Sequence, residues 1–307
     1  RQMCIRDRHK NYSISSHPEI TLEANPDDLT PDYIAMLRTL PFNRLSMGIQ
    51  TFNESILKVL QRRHTARQAI EAFQNCRAAG FQNISIDLMY GLPGETLSTW
   101  QQDLDQALLL HPEHLSAYHL IYEEDTVLWK LREQHKVEEA DEDLSVSLFS
   151  TLIDRLTSEG YDHYEISNFS LPGLYSRHNS SYWTEKKYLG CGPSAHSYNG
   201  VSRQWNVASL DTYIKGISAG TPVFEIEELD LYTRYNDFVI TRIRTEWGMP
   251  LSKLRDEFGE KLYDYCLRMA APHLKQGTLE LVNDILKLTR KGIFISDGIM
   301  SDMLWTD

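Results

Sequence analysis

Four short apolar runs in the first 125 residues each give way to a polar residue: 20–22 before Glu23, 45–49 before Gln50, 84–86 before Asp87 and 115–122 before Glu123. Between them lie stretches whose apolar positions recur at helical spacing. Strands alternating with helices predict a parallel sheet or barrel. Such folds gather ligands at the carboxyl ends of their strands, so Glu23, Gln50 and Asp87 are expected to converge on one site.

Local signals place the elements. Thr30 offers an N-cap, Pro31 a first helical residue and Asp32 an early acid, ahead of Ile34, Leu37 and Leu40 on one helix face. Residues 44–49 alternate Leu45, Met47 and Ile49, as a strand should. Thr65 and Gln68 form a capping box for a helix that carries Ile70, Phe73 and Cys76 and stops at Gly80. Residues 83–89 read as the next strand, 91–94 as a turn and 96–110 as a helix ended by Pro112. Beyond Glu123 come a long amphipathic helix (141–159), a short strand (164–167) and an irregular aromatic segment (169–205). From 229 the chain is helical again, and the runs 279–286 and 293–295 predict a small hairpin. A smaller domain is expected from Glu225, a helix pair followed by a wing.

Composition narrows the class. With 41% hydrophobic and 24% charged residues over 307 positions, the chain can bury a full core. A net charge of -12 opposes binding to a polyanion, because nucleic-acid affinity rests largely on phosphate neutralisation by Lys and Arg. Residues 231–307 hold eleven Lys or Arg and eleven Asp or Glu, so the wing has no basic face for DNA. No window approaches the ~20 apolar residues of a membrane span. A cytoplasmic chain without an integral membrane segment is the expectation. Cys4, Cys76, Cys191 and Cys266 stand far apart, which predicts reduced thiols without metal-ligand spacing. His9, His17, His111 and His114 also lack ligand spacing and are expected at the surface or in turns.

Acids near turns most often cap helices or pair with arginine, yet three strand-end polar residues in successive units ask for a common cause. Carboxylates accept hydrogen bonds from hydroxyls or an ammonium, and an amide both donates and accepts. Together they suit a ligand with a ribose and an amino-acid end. Arg62 supplies the charge for that ligand's carboxylate. In the aromatic segment His178 stands among tyrosines and a tryptophan. Imidazole ligates heme iron and flat rings pack on the macrocycle, although most aromatic clusters are simply core. The Gly190-Cys191-Gly192 string is not a phosphate loop, since Pro193 removes a donor and no GK[ST] triplet follows.

The strings TLEANP (21–26), RLSMGIQTFN (44–53), RRH (62–64) and SIDLMYGLPG (85–94) resemble those of radical S-adenosylmethionine (SAM) proteins related to oxygen-independent coproporphyrinogen III oxidase. The likeness runs from about Glu19 to the end. It implies a partial (β/α) barrel of the radical SAM type, here without its first two strand-helix units, and a helical, winged-helix-like C-terminal domain. The implied bounds are a leader unlike the family (1–18), the partial barrel with a heme-handling extension (19–224) and the C-terminal domain (225–307). It also implies SAM contacts at Glu23, Gln50, Arg62 and Asp87, and a further main-chain contact at Ile121.

HNSSYW at 178–183 resembles the HNxxYW signature of the HemW branch, the heme chaperones. That likeness implies a heme motif of His178, Asn179, Tyr182 and Trp183. His178 leads as iron ligand, with His196 and Cys191 as alternatives. The implied partners are heme and heme-acceptor proteins, with membranes met only peripherally through an acceptor. The alternative is the oxidase, an oxidative decarboxylase of porphyrin biosynthesis. One departure matters: the CxxxCxxC loop that holds a [4Fe-4S] cluster in this family is not in the sequence, nor is the GGTP-like string. A truncated N-terminus is therefore expected. SAM turnover is not expected of these residues.

Overall fold

A computed structural model describes residues 7, 8 and 10–306, so the expectations for Cys4 and His9 lie outside the described residues. The chain divides into two compact units, one ending at Ser176 and one beginning at Arg177.

The first unit is an α/β layer. Its sheet has the order β1-β2-β3-β4-β6-β5, formed by Thr21–Ala24, Arg44–Gln50, Ile84–Tyr90, His114–His119, Asn168–Ser170 and Asp162–Glu165 respectively. The first four strands are parallel and the last two pair antiparallel. Among the described residues the sheet stays open and does not close into a barrel. The helices are α1 (Pro31–Leu37), α2 (Glu54–Val59), α3 (Ala66–Ala78), α4 (Leu97–Leu110), α5 (Val127–Glu133) and α6 (Glu142–Ser158).

Register explains the layering. Leu22 pairs with Leu45, and Met47, Ile86 and Leu115 follow one another across β2, β3 and β4. All are buried, with Phe73, Cys76, Trp100 and Leu104 of α3 and α4 also in the core. The alternate positions, Glu23, Ser46, Asp87 and Ser116, are polar and share the opposite face. A period of two on β2 thus separates core from site.

Several expectations change in detail. β3 continues to Tyr90, so Asp87 stands within a strand and not at its end. β4 stops at His119, and Leu120 and Tyr122 turn into a small apolar cluster with Ile56 and Leu92, leaving Glu123 in a loop. His114 is buried: its Nδ1 and Nε2 lie 2.8 and 2.6 Å from the Ser85 and Tyr164 hydroxyls. Two hydroxyl partners compensate the burial that a turn position would have avoided.

The second unit holds α7 (Arg177–Trp183), an antiparallel sheet of β7 (His196–Tyr198), β8 (Ser202–Asn206) and β9 (Phe224–Glu228), and α8 (Leu210–Ser218) between the last two. Then come α9 (Leu231–Ile243), β10 (Met249–Pro250), α10 (Leu251–Gln276), β11 (Leu279–Val282), β12 (Ile285–Leu288), α11 (Arg290–Ile293) and α12 (Ser296–Met303). The hairpin forms inside the run 279–288, with Val282 opposite Ile285. Asn283 and Asp284 both take positive φ (50° and 69°), the turn chemistry that joins two strands tightly. The expected partner run, 293–295, instead ends α11.

Candidate functional site

The polar face of the first sheet opens into a cleft of about 770 Å³ lined by Glu23, Asn25, Ser46, Gly48 and Asp87 among others. Two of the expected strand-end residues, Glu23 and Asp87, therefore meet there. Gln50 and Arg62 join them through Gly48. The β2–β3 register shifts between Gly48 and Gln50, and Gln50 takes φ 72°, an irregularity that re-aims its side chain. A Cβ on Gly48 would stand 2.9 Å from Gln50 Nε2, 3.6 Å from Arg62 Nη2 and 3.8 Å from Asn25 Oδ1. A side chain at position 48 would touch Arg62 and Asn25 at ordinary contact distance and would have to displace the end of the Gln50 side chain. Ile121 does not line the cleft, and its side chain, 76% exposed, projects from the loop after β4.

Each side chain is held from behind. Arg62 Nη2 donates to Asn25 Oδ1 at 2.7 Å and to the Gly48 carbonyl at 2.8 Å, which fixes the guanidinium over the strand end. The buried His64 ring hydrogen-bonds through Nε2 to the Ile49 carbonyl at 3.1 Å, and burial lowers its pKa, so the neutral ring donates there. Asp103 on α4 accepts from Thr51 Oγ1 (2.5 Å) and from the Phe52 amide (2.9 Å), pinning the chain just past Gln50. Glu95 accepts from the Gly91 and Leu92 amides at 2.7 and 3.3 Å, which holds the 91–94 turn beyond β3.

Burial sets the electrostatics. Asp87 is pushed up to about 6 by desolvation, against hydrogen bonds from Ser116 and Ser46 and the positive charge of buried Arg44; Glu23 adds to the rise. Glu95 rises to about 7 and Asp103 to about 6, again chiefly by desolvation. Asn25, Ser46, Glu95 and Asp103 did not stand out in the sequence. Ser46 had a signal, since it shares the strand period with Gly48.

The second unit carries the aromatic cluster. His178 lies exposed on α7, with Nε2 3.2 Å from the Tyr182 hydroxyl and its ring edge-on to Tyr182 at 5.1 Å. Tyr188 meets Tyr182 edge-on at 4.9 Å, and Tyr198 follows at 6.1 Å. Asn179 is half-buried one residue along, and Trp183 stacks with Arg244 at 4.2 Å. His196 stacks on Trp205, and Cys191 is exposed.

No helix among the described residues is long and apolar enough to cross a membrane, and no group of three His, Cys, Asp or Glu side chains among them could hold a metal ion.

Comparison with known proteins places this geometry in a family. The profile of the Radical SAM superfamily matches residues 3–107, and that of the HemN C-terminal domain matches 229–295. The chain is 30% identical to the heme chaperone HemW of Bacillus subtilis, covering 93% of this chain and 76% of that protein. It is 32% identical to HemW of Lactococcus lactis, with 94% and 76% covered. Among solved structures, coproporphyrinogen III oxidase (HemN) of Escherichia coli, a radical SAM enzyme, superposes with a TM-score of 0.82 over 98% of this chain and 73% of that one, at 22% identity.

Proposed function

The chain belongs to the HemW family of radical SAM proteins, and from that premise we propose that it is a heme chaperone, with heme held at α7, an S-adenosyl nucleoside in the cleft of the first unit, and heme passed on to an acceptor protein. The observation that carries the reading is the exposed His178 imidazole beside a train of tyrosine rings.

In the cleft, Glu23 and Asp87 offer acceptors for ribose hydroxyls or an ammonium, Gln50 both donates and accepts, and Arg62 meets a carboxylate. These residues fit S-adenosylmethionine, which brings a sulfonium centre to the cleft. On α7, His178 fits as an axial nitrogen ligand, and Asn179, Tyr182 and Trp183 would border the macrocycle. Heme brings an iron with an open axial position and two anionic propionates.

The [4Fe-4S] cluster does not fit. It needs three neighbouring thiolates, whereas the cysteines stand at 4, 76, 191 and 266. Cys76 and Cys266 are buried, and desolvation pushes both thiols up to about 11, which disfavours the thiolate that would ligate iron. Behind the oxidase alternative stand a fold likeness at 22% identity and the HemN C-terminal domain match.

The test is a hemin titration. Wild-type protein should develop a shifted Soret band at stoichiometric hemin, and His178→Ala should weaken uptake about tenfold or more. A wild type that takes up no hemin ends the chaperone reading. Formation of decarboxylated product from coproporphyrinogen III under anaerobic reduction would favour the oxidase.

A further inference from the structure

Helix α7 is seven residues long and has no buried residue of its own. A helix this short is unstable without tertiary support, so the placement of His178 must come from outside α7. The support starts at its C-terminus. The Lys186 amide donates to the Ser181 carbonyl at 3.1 Å, and the Glu185 amide reaches the Tyr182 carbonyl at 3.5 Å. That is the pair of bonds of a Schellman cap, whose left-handed position normally holds glycine or asparagine. Here Glu185 fills it, with φ 57°.

A glutamate at that position costs about 1 kcal/mol relative to glycine, so the side chain must offset the loss. Its carboxylate accepts from Arg242 Nη2 at 2.9 Å and from Lys253 Nζ at 2.8 Å, on α9 and α10. Both cations also face the buried Phe238 ring, at 5.6 and 5.3 Å from its centroid. One acid thus joins three helices over an aromatic floor. Arg244, at the end of α9, stacks on Trp183 of α7 as a second fastening. Partly buried pairs of this kind are screened by salt much less than exposed ones.

We infer that Glu185 is a positioning residue for the heme site: its carboxylate clasps α7 to α9 and α10 through Arg242 and Lys253, so that the C-terminal helices set where His178 stands. The inference rests on His178 as the heme residue. It ties the 229–295 region, matched by the HemN C-terminal domain, to the HNxxYW helix within one compact unit.

Glycine and glutamine at position 185 separate the clasp from the cap. Glu185→Gly removes the carboxylate but improves the left-handed cap, whereas Glu185→Gln keeps the side-chain shape and removes the charge. If the clasp holds α7, both variants lose about tenfold or more in hemin affinity, and amides 178–186 exchange at least tenfold faster in the hemin-free protein. If Glu185 only caps the helix, Glu185→Gly exchanges as slowly as wild type and binds hemin equally well, which overturns the inference. Unchanged hemin affinity in both variants, with wild-type binding still dependent on His178, overturns it too and leaves the heme reading intact. Should wild type bind no hemin, the heme reading fails, and the positioning role fails with it.

Discussion

In the proposed reading of the cleft, Asp87 is the residue on which ligand binding turns. Desolvation lifts it from 3.8 to about 6, and the charge of Arg44 and the hydroxyls of Ser116 and Ser46 keep the rise that small. As an acceptor for a ligand hydroxyl or ammonium it serves best when ionised, above about pH 6. Affinity for S-adenosylhomocysteine should therefore climb between pH 5 and 7.5 with a midpoint near 6, as isothermal titration would show. Asp87→Asn should bind weakly with no such step, and a flat wild-type profile would contradict the role. That Glu23 and Asp87 share one polar face was legible in the sequence, because each interrupts an apolar run. Asn25, just past β1, gains its part through Arg62, and Ser46 through Asp87 on the next strand, partners that the local order of the chain does not reveal. His114 misled for a related reason: spacing along the chain says nothing of the Ser85 and Tyr164 hydroxyls that fold against it.

At the scale of elements, the caps and periods carried most of the reading. The Thr30 cap, the Thr65–Gln68 capping box and the helix 142–158 form where the signals put them. α2 went unseen because six residues offer too few turns for a helical period to declare itself. The hairpin lies earlier than the apolar runs suggest, because Asn283 and Asp284, both at positive φ, make the turn between Val282 and Ile285. The 91–94 turn shows how an element near the site is held by a buried acid. Glu95 is raised from 4.5 to about 7, so the folded state binds its proton more tightly than the unfolded chain does. Its contribution is then fully present below about pH 4.5 and is lost as pH rises to about 7. A shift of that size corresponds to a few kcal/mol. Denaturant unfolding at pH 5 and pH 8 should show this loss in wild type, and Glu95→Gln should flatten it. An equal slope in both proteins would mean that Glu95 titrates as in the unfolded chain.

For the molecule as a whole, the α/β class was legible because alternation survives wide sequence divergence: the fold matches a structure of 22% identity with a TM-score of 0.82. The open sheet and the place of the chain's division were not legible, because both depend on contacts between distant segments. Charge has a consequence at this scale. In the proposed function a chain of net charge -12 takes up a dianionic heme, which calls for local cations to offset its field. Lys186 and Lys187 stand exposed immediately beyond α7. Lys186→Glu combined with Lys187→Glu should slow hemin association severalfold in stopped-flow measurements at low salt, and the difference should shrink at high salt. Identical rates would show that the lysines do not steer. In the proposed function the α7 imidazole is the protein's ligand to heme iron. Its most direct test is the electron spin-echo spectrum of the hemin complex made with nitrogen-15 histidine. The account predicts a nitrogen-15 coupling that vanishes in His178→Ala and persists in His196→Ala; a coupling that survives the first substitution and is lost in the second would contradict it.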